Sequence, residues 1–318
     1  MHHATDTVDV LASDERIRTE FVEANGLRFE VDICGDGDTL ALCLHGFPEL
    51  AYSWRYQLPM LADAGYTAWA PNLRGYGASS RPLGVENYHI DSLMDDVAAL
   101  IDASGKQSVV LIAHDWGAII AWQFAIEKRR PLHKLVICNV PYPALLERAA
   151  RSGFAQLRKS WYVLFFQIPR LPEFLLGLRG ARAIGEILRK SSSNVAMFPP
   201  EVTEVYRHNA RQPGALTAML NYYRALLRYR KAVAARGTPV IEVPTLMIWG
   251  EDDVALTKES TYGTEQYVRD FRIRYLPRVS HWVQQEAPVE VNAMISAFLQ
   301  DRPVPHVAWT MQLVESPQ

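Results

Sequence analysis

No stretch of this chain reaches eighteen uncharged apolar residues, and its first residues, Met1-His2-His3-Ala4-Thr5-Asp6, lack a basic segment leading into an apolar one. A membrane span and a secretory leader are therefore not expected, and a soluble, unexported, cytoplasmic protein is. Cysteine is scarce: Cys34, Cys43 and Cys138 lie in or beside apolar strand-like runs, which suits buried thiols and not a disulfide framework. No Cys and His spacing matches a zinc site, and no metal is expected. Excess charge is lacking too, since 33 Lys and Arg stand against 35 Asp and Glu for a net charge of -2. With the arginines scattered among acids and aromatics, nucleic acid is excluded as an expected partner. Internal repeats and low-complexity segments are absent from the sequence.

What remains is a chain of 318 residues, 49% apolar, enough to bury a large core as one domain plus an insertion. Short β-rich runs recur at Leu27 to Ile33, Leu40 to Leu44, Thr67 to Ala70, Val109 to Ala113, Lys134 to Cys138, Thr245 to Trp249 and Phe271 to Leu276. Helical periodicity separates or follows them at Trp54 to Ala64, Asp91 to Ala103, Trp116 to Lys128, Glu259 to Arg269 and Val289 to Leu299. Such alternation predicts an α/β protein with a mostly parallel sheet flanked by helices. It breaks after Pro141-Tyr142-Pro143, where Leu, Arg, Phe and Tyr at helical spacing are interrupted by Pro169, Pro172, Pro199 and Pro200. The expected organisation is a discontinuous core, 1-143 and 238-318, around a helical cap at 144-237. The chain beyond Arg302 shows no clear periodicity.

Ala113-His114-Asp115-Trp116-Gly117 lies directly after Val109-Val110-Leu111-Ile112 and before a helical run. Small residues flanking a central acid suit a tight strand-to-helix turn that lifts the side chain clear of the backbone, a nucleophile elbow carrying a carboxylate. An aspartate is already ionised at neutral pH and needs no base to attack a saturated carbon bearing a leaving group, such as an epoxide or a haloalkane. The competing reading is a helix cap, a position that Asp favours.

Turnover needs a base, and His281 in Ser280-His281-Trp282 lies between the last strand-like run and the last helix, as a nucleophile, acid, histidine order requires. The other histidines lie in terminal segments, in polar surroundings or beside turns. The acid should come before it, and Trp249-Gly250-Glu251-Asp252-Asp253 offers three candidates past a strand end, of which Asp253 is preferred. It would hold the imidazole by its Nδ1 proton and stabilise the imidazolium. Hydrolysis of an ester on Asp115 also needs amide donors. In hydrolases with such an elbow, one donor follows the nucleophile and the other comes from a loop after an earlier strand, which here means Trp116 and Phe47 of His45-Gly46-Phe47-Pro48.

Taken together, His45-Gly46-Phe47-Pro48-Glu49, Ser53-Trp54-Arg55-Tyr56-Gln57, Arg74-Gly75-Tyr76-Gly77-Ala78-Ser79-Ser80, His114-Asp115-Trp116-Gly117, Gly250-Glu251-Asp252-Asp253 and Ser280-His281-Trp282 make the chain resemble an α/β-hydrolase-fold epoxide hydrolase of the soluble epoxide hydrolase-like family, from about Asn25 to Leu299. The resemblance implies two cap tyrosines that hold the epoxide oxygen and protonate it as the ring opens. Trp161-Tyr162-Val163-Leu164-Phe165-Phe166-Gln167-Ile168-Pro169 resembles the first segment and puts Tyr162 in the donor position. Met219-Leu220-Asn221-Tyr222-Tyr223-Arg224 resembles the second and puts Tyr223 there, with Tyr222 where the family often has Trp. An alkoxide is a poor leaving group, and a phenol can donate to it as charge develops without a metal or any other cofactor.

The expected reaction converts a small apolar epoxide into a vicinal diol. Haloalkane or haloacid dehalogenation is the enzymatic alternative, because dehalogenases share the aspartate-tryptophan elbow, although Phe47 stands where they commonly supply Asn. A non-catalytic ligand receptor on the same fold is the alternative of another class. Phe165, Phe166, Phe174 and Phe198 either line an apolar pocket or pack the insertion against the core. Monomer and homodimer both remain open.

Overall fold

Hydrophobic runs bounded by turns need cover on both faces, and in the computed structural model, which describes residues 14–152, 161–234, 236, 237 and 239–307, they form the middle of one eight-stranded sheet. The strands are β1 Arg18–Ala24, β2 Leu27–Cys34, β3 Thr39–Leu44, β4 Tyr66–Pro71, β5 Ser108–His114, β6 Lys134–Cys138, β7 Thr245–Gly250 and β8 Phe271–Leu276, in spatial order β1-β2-β4-β3-β5-β6-β7-β8. From β4 across to β8 all neighbours are parallel, whereas β1 with β2 and β2 with β4 are antiparallel. This is the α/β-hydrolase arrangement expected from the sequence.

Strand alternation sorts the core into two layers. Leu40, Leu42, Leu44, Val109, Leu111 and Ala113 face one side, packed with the helices Ile90–Ser104 and Trp116–Ile126. On the other side Ala41, Cys43, Val110, Ile112, Val136 and Cys138 meet the helices Gln57–Asp63 and Pro288–Leu299. All three cysteines are buried and free, as their apolar settings predicted, and burial pushes the Cys43 and Cys138 thiols far above their ordinary range.

Two of the expected helices depart from expectation. The helix expected at Glu259 to Arg269 is instead two short 3₁₀ turns, Lys258–Thr261 and Thr264–Gln266, because Gly263 between them takes φ 94 and breaks the helical path. Trp54 to Ala64 likewise divides into a 3₁₀ turn, Ala51–Trp54, and a helix that begins only at Gln57.

Between β6 and β7 the described residues hold the helices Pro143–Ser152, Trp161–Phe165, Leu171–Ser191, Pro200–Ala210 and Ala215–Ala234, a 3₁₀ turn at Val195–Met197 and one isolated β-bridge at Ile241. Inside the third, Arg179, Gly180 and Ala181 adopt left-handed φ values, which bends the chain at that point. The Arg207 guanidinium donates to the Gly180 carbonyl at 3.1 Å and so satisfies a group the broken helix leaves without its usual partner.

Candidate active site

Asp115 lies between the end of β5 and the helix Trp116–Ile126 with φ 47 and ψ -118, a conformation that a side-chain-bearing residue rarely adopts. It stands at the N-cap position, yet its side chain makes no capping bond, so the helix does not explain the residue. The close neighbours explain the glycines. A Cβ on Gly117 would clash with the Leu44 carbonyl oxygen, and one on Gly46 with Asp115 Cβ and Oδ1. Ala113 is fully buried within β5, where its methyl group belongs to the core.

The Phe47 amide donates to Asp115 Oδ1 at 2.7 Å, while His281 Nε2 stands 3.6 Å from Oδ2. The two carboxylate oxygens therefore have different environments. Behind the imidazole, His281 Nδ1 meets Asp253 Oδ2 at 2.7 Å. Asp253 is fixed in turn: Asn139 Nδ2 donates to Oδ2 at 2.7 Å, and the Ala255 and Leu256 amides donate to Oδ1 at 2.7 and 2.9 Å. Burial disfavours charge on all three groups, but their mutual attraction prevails. Asp115 and Asp253 are held below their ordinary carboxylate value, and His281 is raised well above its own, by Asp253 first and then by Asp115.

Trp116 opens the helix directly after Asp115, and the Phe47 amide holds one oxygen of the carboxylate. Beneath the Phe47 loop, the Leu73 amide donates to His45 Nε2 at 3.0 Å and leaves the Nδ1 proton for the Gly46 carbonyl at 2.9 Å. Burial lowers the His45 pKa to about 4, so the ring stays neutral and keeps that tautomer.

Both tyrosines meet at this place from the cap. Tyr223 is buried with its ring edge-on to Phe47 at 5.4 Å and to Trp116 at 5.0 Å, and Tyr162 lies 5.9 Å from Tyr223 between ring centroids. Burial raises both phenols, and the Asp115 charge raises each further, which puts both within the electrostatic reach of that carboxylate. Tyr222 points elsewhere: its hydroxyl donates to the Arg74 carbonyl at 2.9 Å in a buried cluster with Tyr76 and Tyr88.

Several participants have no counterpart in the sequence reading. Asn139 links Asp253 to the Gly250 amide, which it accepts at 2.9 Å, and its only sequence signal is a polar residue directly after a strand. Glu49 and His114 form a fully buried pair at 2.7 Å, and His114 Nε2 donates to the backbone carbonyl of His281 at 2.8 Å. Gln284 and Gln285 complete the shell of Glu49 at 2.9 and 2.7 Å. Among the described residues no cluster of potential metal ligands occurs. A groove of about 790 Å³ between the β2 side of the core and the helix Pro200–Ala210, lined by Glu30, Asp32, Arg81, Glu204 and His208 among others, includes none of these residues.

Comparison with known proteins gives the family. The profile of the alpha/beta hydrolase fold family matches residues 41–288. The AB hydrolase superfamily protein YfhM of Bacillus subtilis is 36% identical over 90% of this chain and 99% of its own length. Epoxide hydrolase 3 of Xenopus tropicalis is 39% identical over 87% of this chain and 76% of its own. Among solved structures, the epoxide hydrolase of Bacillus megaterium in complex with an inhibitor superposes with a TM-score of 0.80 at 29% identity, covering 88% of this chain and 100% of that one.

Proposed function

The chain belongs to the α/β-hydrolase fold family as an epoxide-hydrolase-like hydrolase, and from that premise we propose that it opens an epoxide to a vicinal diol through an ester on Asp115. The observation that carries this reading is the Asp115, His281 and Asp253 line opposed by two tyrosines whose phenols both feel the Asp115 charge. An acid at the elbow alone admits any electrophilic saturated carbon. Two phenol donors gathered near it favour one whose leaving group is an oxygen still tethered to the substrate.

In the first step Asp115 Oδ2, the oxygen not held by the Phe47 amide, attacks an epoxide carbon in line with the C–O bond that breaks. Tyr162 and Tyr223 donate to the departing oxygen, and one proton passes to it, giving a hydroxyalkyl ester. Esterification removes one of the two anions that keep the proton on His281. The imidazole pKa then falls, its proton passes to the tyrosinate left by ring opening, and the ring becomes a base only after the ester exists.

Water then gives a proton to His281 and adds to the Asp115 carbonyl carbon. The oxyanion on Oδ1 takes the amides of Phe47 and Trp116, and collapse expels the diol's alkoxide with the former Oδ2, which takes the proton of the new Asp115 carboxyl group and leaves it a carboxylate. Asp253 keeps the imidazolium oriented throughout. All residues return to their starting state, and the net reaction is epoxide plus water to diol.

Single turnover in ¹⁸O-labelled water tests the route. The first diol should carry unlabelled oxygen derived from Asp115, with label entering the protein; label in that diol refutes the covalent step. Halide release without diol formation on matched substrates would instead assign dehalogenation, and a dead panel of aliphatic and styrene-type epoxides would assign a receptor.

A further inference from the structure

The cap carries an apolar surface that the core does not use. Leu171, Phe174 and Leu175 share one face of the first turns of the helix Leu171–Ser191, and Leu178 extends it at the bend. All four are exposed, Phe174 by 64%. Just before them, Trp161, Leu164 and Ile168 are exposed as well, the first two by 63% and 62%. These segments have already supplied their inward residues, for Phe166, Pro172 and Leu176 are buried. Arg224 binds the two stretches into one surface by donating to the Phe166 and Ile168 carbonyls at 3.0 and 3.2 Å and to Glu173 at 2.8 Å. A monomer rarely leaves so many large side chains together in water.

The charges along this stretch are mostly basic. From Trp161 to Ser191 there are five basic and two acidic residues, in a chain whose net charge is -2. Both acids are engaged, Glu173 by Arg224 and Glu186 by Arg182 and Lys190. Arg170 and Arg179 flank the apolar residues in exposed positions.

We propose that this face of the cap docks on an anionic lipid surface, with the apolar side chains at the level of the acyl boundary and the arginines on the headgroups. An apolar stripe with a basic border is the composition of an interfacial helix, and each arginine gains from a negative surface. A second copy of the chain fits the pattern less well, since a two-fold contact would set these arginines against their own copies. Among the described residues no helix is long and apolar enough to cross a membrane, so the contact lies in the plane of the surface. Tyr162 shares the helix Trp161–Phe165 with Trp161 and Leu164, so docking sets the tyrosine side of the site against the lipid. For apolar epoxides dissolved in the bilayer, a consequence resting on the proposed activity, the route to Asp115 then avoids bulk water.

Co-sedimentation of the full chain with phosphatidylcholine vesicles, with and without phosphatidylglycerol, tests the docking independently of turnover. The anionic vesicles should bind at least about tenfold more protein, with added salt reducing the difference. Leu164→Gln with Phe174→Gln should lower partitioning about tenfold or more, and Arg170→Glu with Arg179→Glu should abolish the preference for phosphatidylglycerol. Unchanged thermal melts, and unchanged turnover of a water-soluble epoxide if the wild type has it, establish that the variants fold. Equal binding to both vesicle types, no binding, or variants that bind like the wild type each overturn the proposal. So does a dimer, detected by light scattering, that Leu164→Gln with Phe174→Gln dissociates, because a second copy would then own the face.

Discussion

Adjacent tyrosines with opposite surroundings give the sharpest test of the chemistry. Tyr223→Phe deletes one oxygen and leaves the ring against Phe47, Phe166 and Trp116, so packing is retained while one donor to the epoxide oxygen is lost. A hydrogen bond to a group becoming charged is worth about 1.5–3 kcal/mol, which corresponds to a fall of roughly ten- to a hundredfold in the rate of ester formation. Tyr162→Phe should cost a similar amount, each variant keeping the other phenol. Removing both leaves no proton donor for the alkoxide, and the rate should drop by about 10⁴-fold or more. Tyr222→Phe should behave differently, because its hydroxyl serves the Arg74 carbonyl. That change should cost about 1 kcal/mol of stability and leave ester formation within about twofold of the wild type. Rapid quench followed by intact-protein mass spectrometry measures the ester directly, and a thermal melt measures the fold. Both phenols lie above their ordinary range, so neither should add a basic limb to the rate of ester formation below its ordinary pKa, about 10. If the doubly substituted protein still forms ester at the wild-type rate, the assignment of the leaving-group donors is wrong.

Asp253→Asn should leave ester formation within about tenfold of the wild type and slow ester hydrolysis by about 10³–10⁴-fold, because an amide neither orients nor charge-stabilises the imidazolium; accumulation of alkylated protein by mass spectrometry checks this. Gly46→Ala should reduce turnover by about a hundredfold or more, since its methyl would have to displace Asp115 from the Phe47 amide, and kcat for a reactive epoxide is the readout. His45 predicts a pH dependence of stability. Its folded pKa of about 4 is depressed from 6.5, so between those values the unfolded chain binds the extra proton and folding weakens as pH falls, by about 3 kcal/mol from this group alone. Urea midpoints should decline across that window in the wild type and more shallowly in His45→Asn, and a wild-type profile flat from pH 6.5 to 4 contradicts the assignment.

The parallel sheet was legible because its strands are continuous apolar runs, a pattern that buried strands share with few other elements. β1 was missed for the converse reason: Arg18–Ala24 is an exposed edge strand whose burial is nearly nil until Ala24, so it carries no hydrophobic stripe. Yet the chain does announce it. Asn25-Gly26 is a two-residue turn with φ 50 and 68, and Ala24 pairs with Leu27 across it, as a type I′ hairpin requires. Glu259 to Arg269 is the opposite case: helical periodicity runs across Gly263, which at φ 94 interrupts the helix that the spacing suggests.

In the site, residues whose role follows from their place on one strand end could be read in linear order, and Asp115, Asp253 and His281 meet as that order implies. Groups that act by bracing others could not. Glu49 and His114 are 65 positions apart, and His114 reaches the His281 carbonyl 167 positions on, so no local pattern distinguishes a buried bracing pair from turn geometry. The pair also has a physical consequence for the chemistry. It fixes the backbone of His281 while Asp253 fixes its ring, so the imidazole is constrained at both ends and its distance to Asp115 is set by the fold. The cap aromatics show the remaining limit. Phe166 and Phe198 are buried, whereas Phe174, of the same residue type and on a helix of similar periodicity, is turned to solvent. Periodicity identifies an apolar face but carries no information about what that face meets. A sequence can thus mark the residues of a docking surface and of a core in the same way, and only the fold separates them.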